Sequence, residues 1–245
     1  MCRIVLALLL AVCVSAGAAE PVTLVAADGV KVFGTLWRAD RPKAPVVLAF
    51  HQAGSSAGEY APIAPRLAAA GYTVLAIDQR SGGRLYGPNR TAAAFAREAT
   101  YDDALPDLEA ALDWARGEAG GAPVVVLGSS YSAALVFLLA ASRPGDIAAV
   151  VAFSPGEYLG TPHAVVRAAT SVAVPVWIDQ ASSADEIARS AEVLKAVPVS
   201  DKTQFVAKGK SIHGASTLRS DKNPSGAEAH WTALLAFLGR VLGSR

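Results

Sequence analysis

Apolar residues along this chain keep two rhythms. Short unbroken apolar runs at residues 44–51, 72–77, 122–127 and 147–153 suit strands buried on both faces. Residues 174–179 and 202–207 predict two further strands. Between the runs lie stretches of helical period. The clearest is residues 101–118, with Leu105, Leu108, Ala111, Leu112 and Trp114 on its apolar side. Helices are also predicted over 59–70, where Gly71 stops the pattern, and over 132–141, 184–196 and 227–242. Residues 22–26 and 30–37 flank Asp28-Gly29 and read as a β-hairpin. Two stretches have little period: residues 79–100, and residues 154–171 with room for one short helix.

Strands alternating with helices after a hairpin predict an α/β fold. Its central sheet is mostly parallel, with the hairpin at its N-terminus and helices on both faces. No repeat, linker or charge block divides residues 20–245, so they are expected to form a single domain.

Composition narrows the chemistry. The 245 residues are 52% hydrophobic and 18% charged, with a formal net charge of +1. That near-neutral balance gives no basic stripe for nucleic acid. Residues 1–19 read as a secretory signal: Arg3, then an apolar stretch over 4–14, then Ala16-Gly17-Ala18-Ala19. The apolar stretch is short of the roughly 20 residues that span a bilayer. Export to the periplasm or medium is therefore expected, with no stable membrane insertion after cleavage. Cys2 and Cys13 both fall in this segment, so a mature chain has neither disulfide nor thiolate nucleophile.

Serine is then the natural nucleophile to look for. In residues 124–136, an apolar strand runs into Gly128-Ser129-Ser130-Tyr131-Ser132 and then into an apolar helix. A strand, a tight turn carrying one Ser, and a helix form the context in which a G-x-S-x-G-like string has meaning. Here Ser132 replaces the last Gly. In a sheet of this kind, functional groups gather beyond the carboxyl ends of strands. His51-Gln52 follow the first long strand, Ser130 the middle one, Asp185 and Glu186 the one ending near Asp179, and His213 the last.

The order Ser, acid, His resembles the α/β-hydrolase superfamily over essentially the whole mature length. More narrowly, FHQAGSSAGEY (residues 50–60), IDQRSGG (77–83), GSSYSAAL (128–135) and IHGAS (212–216) look like the dienelactone-hydrolase-like branch. The resemblance implies Ser130 as nucleophile and His213 as base. For the acid, aligning SSADEIA by its tail favours Glu186, while counting from the strand favours Asp185. The oxyanion hole is expected from the backbone N–H groups of Tyr131 and Gln52. Substrate would meet Arg84, Tyr86 and Asn89 in one loop and Tyr158 and His163 in the other, with no large cap domain. Tyr60 either lines that pocket or packs under its helix, and Asp78 and Arg80 are expected as an ion pair beneath the site. His51 shapes its loop, and His230 reads as a surface or packing residue.

The resulting expectation is an exported serine hydrolase of carboxylic esters. Its partner is a small-molecule ester, and it needs neither cofactor nor metal. A hydrolase-fold binding protein without activity, or a peptidase or thioesterase using the same triad, are the alternatives.

Overall fold

The N-terminal hairpin forms one edge of the sheet. In the computed structural model, which describes residues 18–243, β1 (Ala19–Val25) and β2 (Lys31–Trp37) pair antiparallel, with Val22 opposite Gly34. Gly29 in the connecting turn has φ +83°, a conformation that suits a residue without Cβ. The hairpin starts at Ala19 rather than at residue 22, on the last residue of the expected cleavage region. The rest of the signal-like segment, residues 1–17, lies outside the described residues.

The remaining elements follow as β3 (Val46–Phe50), α1 (Ala64–Ala69), β4 (Thr73–Ile77), α2 (Arg90–Ala94), α3 (Leu105–Glu118) and β5 (Val124–Ser129). Then come α4 (Tyr131–Ser142), β6 (Ala149–Phe153), α5 (Ala164–Ala169), β7 (Val176–Asp179), α6 (Ala184–Ala196), β8 (Lys202–Phe205) and α7 (Ala227–Leu242). The eight strands lie in the order β1-β2-β4-β3-β5-β6-β7-β8. Only the β1–β2 and β2–β4 pairs are antiparallel.

Strand period divides the interior in two. Leu48, Phe50, Leu75, Ile77, Val124 and Val126 face one layer with α3, α4, α5 and α6. Their neighbours Val47, Ala49, Val74, Ala76, Val125 and Leu127 face the other, with α1 and α7. Every residue of β3, β5, β6 and β7 is buried, which is why these strands read as unbroken apolar runs. β4 and β5 flank β3 on opposite sides, so the loops beyond β3 and β5 part and leave a crevice at their carboxyl ends.

Two expectations change. The single helix over 59–70 is a 3-10 turn, Ala57–Tyr60, followed by the separate α1. Pro62 and Pro65 lack the N–H groups that a continuous helix needs. The stretch 79–100 contains α2, whose first turn is capped by Asn89 Oδ1 accepting from Ala92 N–H at 2.7 Å. Between β6 and β7 only α5 is inserted, and no separate cap domain is formed among the described residues. No helix among them is long and apolar enough to cross a membrane.

Candidate active site

The chain passes from β5 to α4 through one residue, Ser130, at φ 59° and ψ −120°. A non-glycine residue is rarely found there, and the surroundings must hold it. Ser130 N–H donates to Phe153 O at 2.8 Å. Gly128 lets the chain fold back, since a Cβ there would lie 2.3 Å from Ser132 O. Ser132, the departure from the usual glycine, fits by its hydroxyl. It donates to His51 O at 2.6 Å and accepts from Gln79 Nε2 at 2.7 Å. Ser130 itself is 7% exposed.

His213 Nε2 lies 2.8 Å from Ser130 Oγ, and His213 Nδ1 lies 2.9 Å from Glu186 Oε1. Burial raises the Glu186 carboxyl, but bonding from His213 and Ser154 outweighs it and holds the group down at about 2. An ionised carboxylate only accepts, so Nδ1 carries the proton and Nε2 is free to accept from Ser130 O–H. Glu186 sits in the first turn of α6, where Ser183 Oγ caps its N–H at 3.3 Å. Negative charge is favoured at that end of a helix. Asp185, the other candidate acid, is one residue off this face and exposed, with no hydrogen bond to His213. An imidazole between a carboxylate and a hydroxyl can withdraw the hydroxyl proton.

The loop after β3 differs from expectation at Gln52. Its N–H donates to the buried Glu59 Oε2 at 2.8 Å, so it is not free to meet an oxyanion. The next peptide is set the other way round. Gln52 O accepts from His51 Nδ1 at 2.8 Å and from Ser55 N–H at 3.2 Å. In a trans peptide the Ala53 N–H points opposite to that oxygen, and it has no partner among the described residues. His51 can hold Gln52 O because burial pushes its ring down to about 4, leaving it neutral. Nε2 accepts from Gln79 N–H at 3.0 Å, which places the proton on Nδ1. Tyr131 N–H opens α4, where a backbone N–H has no acceptor within the helix.

Other candidates divide. Arg80 does not pair with Asp78. It bonds Asp107 at 2.7 Å and also Asp28, while Asp78 accepts N–H groups of Ala57 and Arg90. Asn89 is buried in its capping role and also reaches Gln79 O, and with Arg84 it lines a cavity of about 330 Å³ that none of the triad residues borders. Tyr60 is buried, with its hydroxyl on Phe50 O at 2.7 Å. Tyr86 O–H meets Ser216 Oγ at 2.9 Å. Arg84 and His163 are exposed. His230 is fully buried rather than superficial, with Nδ1 2.5 Å from Asp179 Oδ2 and Nε2 3.1 Å from Ser211 Oγ.

A cavity of about 810 Å³ is lined by Tyr101, Tyr158, Thr100 and Thr161 together with Glu98 and Asp102. Tyr101 stacks on Tyr131 at 4.4 Å, and Tyr158 O–H bonds Ser154 O at 3.1 Å. Two residues of its lining thus touch neighbours of Ser130 in the fold, Tyr131 and Ser154, while the triad side chains lie outside the lining. No group of three or more metal-ligating side chains occurs among the described residues.

Residues 40–197, well over half of the chain, match the Hydrolase_4 family model, described as serine aminopeptidase, S33. That span includes Ser130 and Glu186 and ends before His213. Monoacylglycerol lipase of Mycolicibacterium smegmatis is 30% identical over 127 residues, which are 52% of this chain and 43% of that protein. Human monoglyceride lipase is 30% identical over 132 residues, 54% of this chain and 42% of that protein. The chain thus spans less than half the length of these curated relatives. Among solved structures, a dienelactone hydrolase from Anabaena variabilis superposes with TM-score 0.72 and 19% identity, covering 93% of this chain and 100% of that one. The Pyrococcus furiosus esterase Pf2001 gives TM-score 0.67 and 19% identity, covering 93% and 92%. At such identities the structures speak for the fold, and the family model goes further: the chain belongs to the Hydrolase_4 (S33) family of α/β hydrolases.

Proposed function

We propose that this protein is an exported serine hydrolase that cleaves small carboxylic esters through an acyl-enzyme. The observation that carries the reading is the hydrogen-bonded line from Ser130 Oγ through His213 to Glu186 Oε1, at 2.8 and 2.9 Å. Ser130 Oγ attacks the ester carbonyl as its proton passes to His213 Nε2. Glu186 keeps the ring oriented and stabilises the imidazolium. The tetrahedral oxyanion is met by the N–H groups of Tyr131 and Ala53, the latter in place of Gln52. Collapse breaks the ester C–O bond, and His213 returns its proton to the departing alkoxide to give the alcohol. Water then attacks the acyl-Ser130 carbonyl, losing a proton to the same nitrogen, and the carboxylic acid leaves as Ser130 regains its hydrogen.

The cavity beside Tyr101 and Tyr158 holds the substrate in this reading. The relatives named as lipases favour an ester. The family's description as an aminopeptidase favours an amide instead, and the same residues would serve it. Export rests on the signal-like residues 1–19.

A fluorophosphonate labels the purified protein and fails to label Ser130→Ala if the reading is right. Equal labelling of both removes Ser130 from the nucleophile's role. Short p-nitrophenyl esters are turned over faster than aminoacyl anilides. The reverse order makes the protein a peptidase.

A further inference from the structure

Glu59 has no part in the steps above, yet it is a fully buried carboxyl directly behind them. It sits in the 3-10 turn Ala57–Tyr60 and receives donors from three separate segments of the chain. Oε2 accepts Gln52 N–H at 2.8 Å. Oε1 accepts Ser129 O–H at 3.0 Å, Ser216 O–H at 3.1 Å and Gln52 Nε2 at 3.3 Å. The directions agree. Ser129 Oγ already accepts Ala215 N–H at 2.8 Å, so its own hydrogen goes to Glu59. Ser216 Oγ already accepts Gln52 Nε2 at 3.0 Å, so it too donates. No salt bridge to Glu59 forms among the described residues; four hydrogen bonds satisfy it instead. Burial pushes the carboxyl up, and the donors from Gln52, Ser129 and Ser216 oppose that push.

Those donors belong to the loop after β3, the residue before Ser130, and the loop carrying His213. The peptide joining His51 to Gln52 is gripped at both ends: its oxygen by Ser132 O–H at 2.6 Å, its N–H by Glu59. With that peptide fixed, the next one can present Ala53 N–H outward. We propose that Glu59 is a positioning residue for oxyanion stabilisation: by capturing Gln52 N–H and tying Ser129 and Ser216 to the same carboxylate, it sets the two oxyanion donors at a fixed distance from one another. This rests on the serine-hydrolase reading. Glu59 touches neither substrate nor the reacting atoms, and acts through the backbone of Gln52 and Ala53.

Glu59→Gln tests it with little change of shape. An amide offers one acceptor oxygen. If that oxygen faces the two serines, its NH₂ faces Gln52 N–H, donor against donor. The peptide turns away and Ala53 N–H moves with it. Loss of one oxyanion donor costs about 10²–10³ in kcat, so kcat for a p-nitrophenyl ester is expected to fall about 10²-fold with KM little changed. The Ki of a trifluoromethyl ketone, whose adduct with Ser130 carries the oxyanion, is expected to rise by the same factor. A purely structural role does not give this pairing, because a partly unfolded sample loses kcat while its folded fraction keeps the same Ki. Unchanged Ki, with or without a loss of kcat, overturns the proposal. If Glu59→Gln does not fold, amide NMR of the parent protein decides. On adding the ketone, the Ala53 amide proton is expected to shift and the Gln52 amide proton to stay; the opposite response overturns the proposal. Ser130→Ala separates the two failures. If it still turns over ester, the hydrolase reading falls; if it is inactive while Glu59→Gln keeps its Ki, only the role of Glu59 falls.

Discussion

Glu186 meets His213 Nδ1 at 2.9 Å, while its neighbour Asp185 is exposed on another side of the same helical turn. The two carboxylates are adjacent in sequence, and Ser183 fixes which of them faces inward by capping the N–H of Glu186. Glu186→Gln removes the ionised acceptor that holds the proton on Nδ1. The expected loss in kcat is about 10⁴-fold, the cost of putting a catalytic histidine in the wrong tautomer. Asp185→Asn is expected to stay within about twofold of the parent, since it gives up only an exposed charge near a helix N-terminus, worth about 0.3–1 kcal/mol of stability. Steady-state hydrolysis of one ester by both variants checks this, and a larger loss for Asp185→Asn would reverse the assignment.

Ser132 stands where the G-x-S-x-G motif has glycine, and the structure gives it two bonds of its own, to His51 O and from Gln79 Nε2. Restoring the more usual residue is therefore expected to destabilise the protein. Ser132→Gly leaves the buried His51 carbonyl without its donor and Gln79 with one acceptor fewer, and a buried group left unmade costs about 1–3 kcal/mol. Urea unfolding of the variant should show a lower midpoint at unchanged slope. Gly128→Ala is expected to be far worse, because its Cβ would sit 2.3 Å from backbone that cannot yield.

The fold was legible because the central strands are buried on both faces, so β3, β5 and β6 appear in the sequence as apolar runs with no polar interruption. Ser130 stood out because it lies just past such a run, and His213 because it is a capable base in the Gly-bearing loop after the last strand. The acid stayed open between two neighbours because strand counting carries no helical phase. The signal for that phase was present, in the S-x-x-E spacing of Ser183 and Glu186. The break between Tyr60 and α1 was also readable, from Pro62 and Pro65. Glu59 and Gln52 are seven residues apart, but their bond goes to a backbone atom, which leaves no residue-type signature. Arg80 and its partner Asp107 are 27 residues apart, and His230 and Asp179 are 51 apart. Such pairs join elements brought together only by the finished sheet, and no local pattern announces them.

Arg80 provides a test of that buried pairing. Its side chain is almost wholly enclosed, and Asp107 is fully so. Burial opposes the charge on Arg80, yet the hydrogen bonds it donates to Asp28 and Asp107 raise its pKa above the ordinary arginine value. Removing one partner of a buried pair strands the other, at a cost of about 3–5 kcal/mol. Asp107→Ala is expected to cost that much in chemical denaturation. Asp28→Ala is expected to cost much less, since Asp28 is nearly half exposed in its side chain and leaves the Arg80–Asp107 bond intact. Equal losses from the two variants would show that Asp107 is not the principal partner.

His51 should make stability depend on pH above the range where ordinary, unshifted carboxylates titrate. Burial holds its ring at about 4 against an ordinary value of 6.5. Between those values the unfolded chain binds a proton that the folded chain refuses. Stability from this residue is therefore complete above about 6.5 and is lost as the pH falls through the folded value near 4. The full loss is about 3 kcal/mol, or roughly 6–12 °C in Tm for a chain of this size. Glu186, held at about 2, has the same sign but acts lower, its contribution fading only as the pH falls from about 4.5. Measurements between pH 6.5 and 5 thus stay clear of it. His51→Gln offers a donor and an acceptor at the same site and does not titrate. It is expected to lower Tm at pH 7, where the imidazole fits better, and to flatten the decline between pH 6.5 and 5. A variant whose Tm falls with pH as steeply as the parent's would remove His51 as the source of that slope.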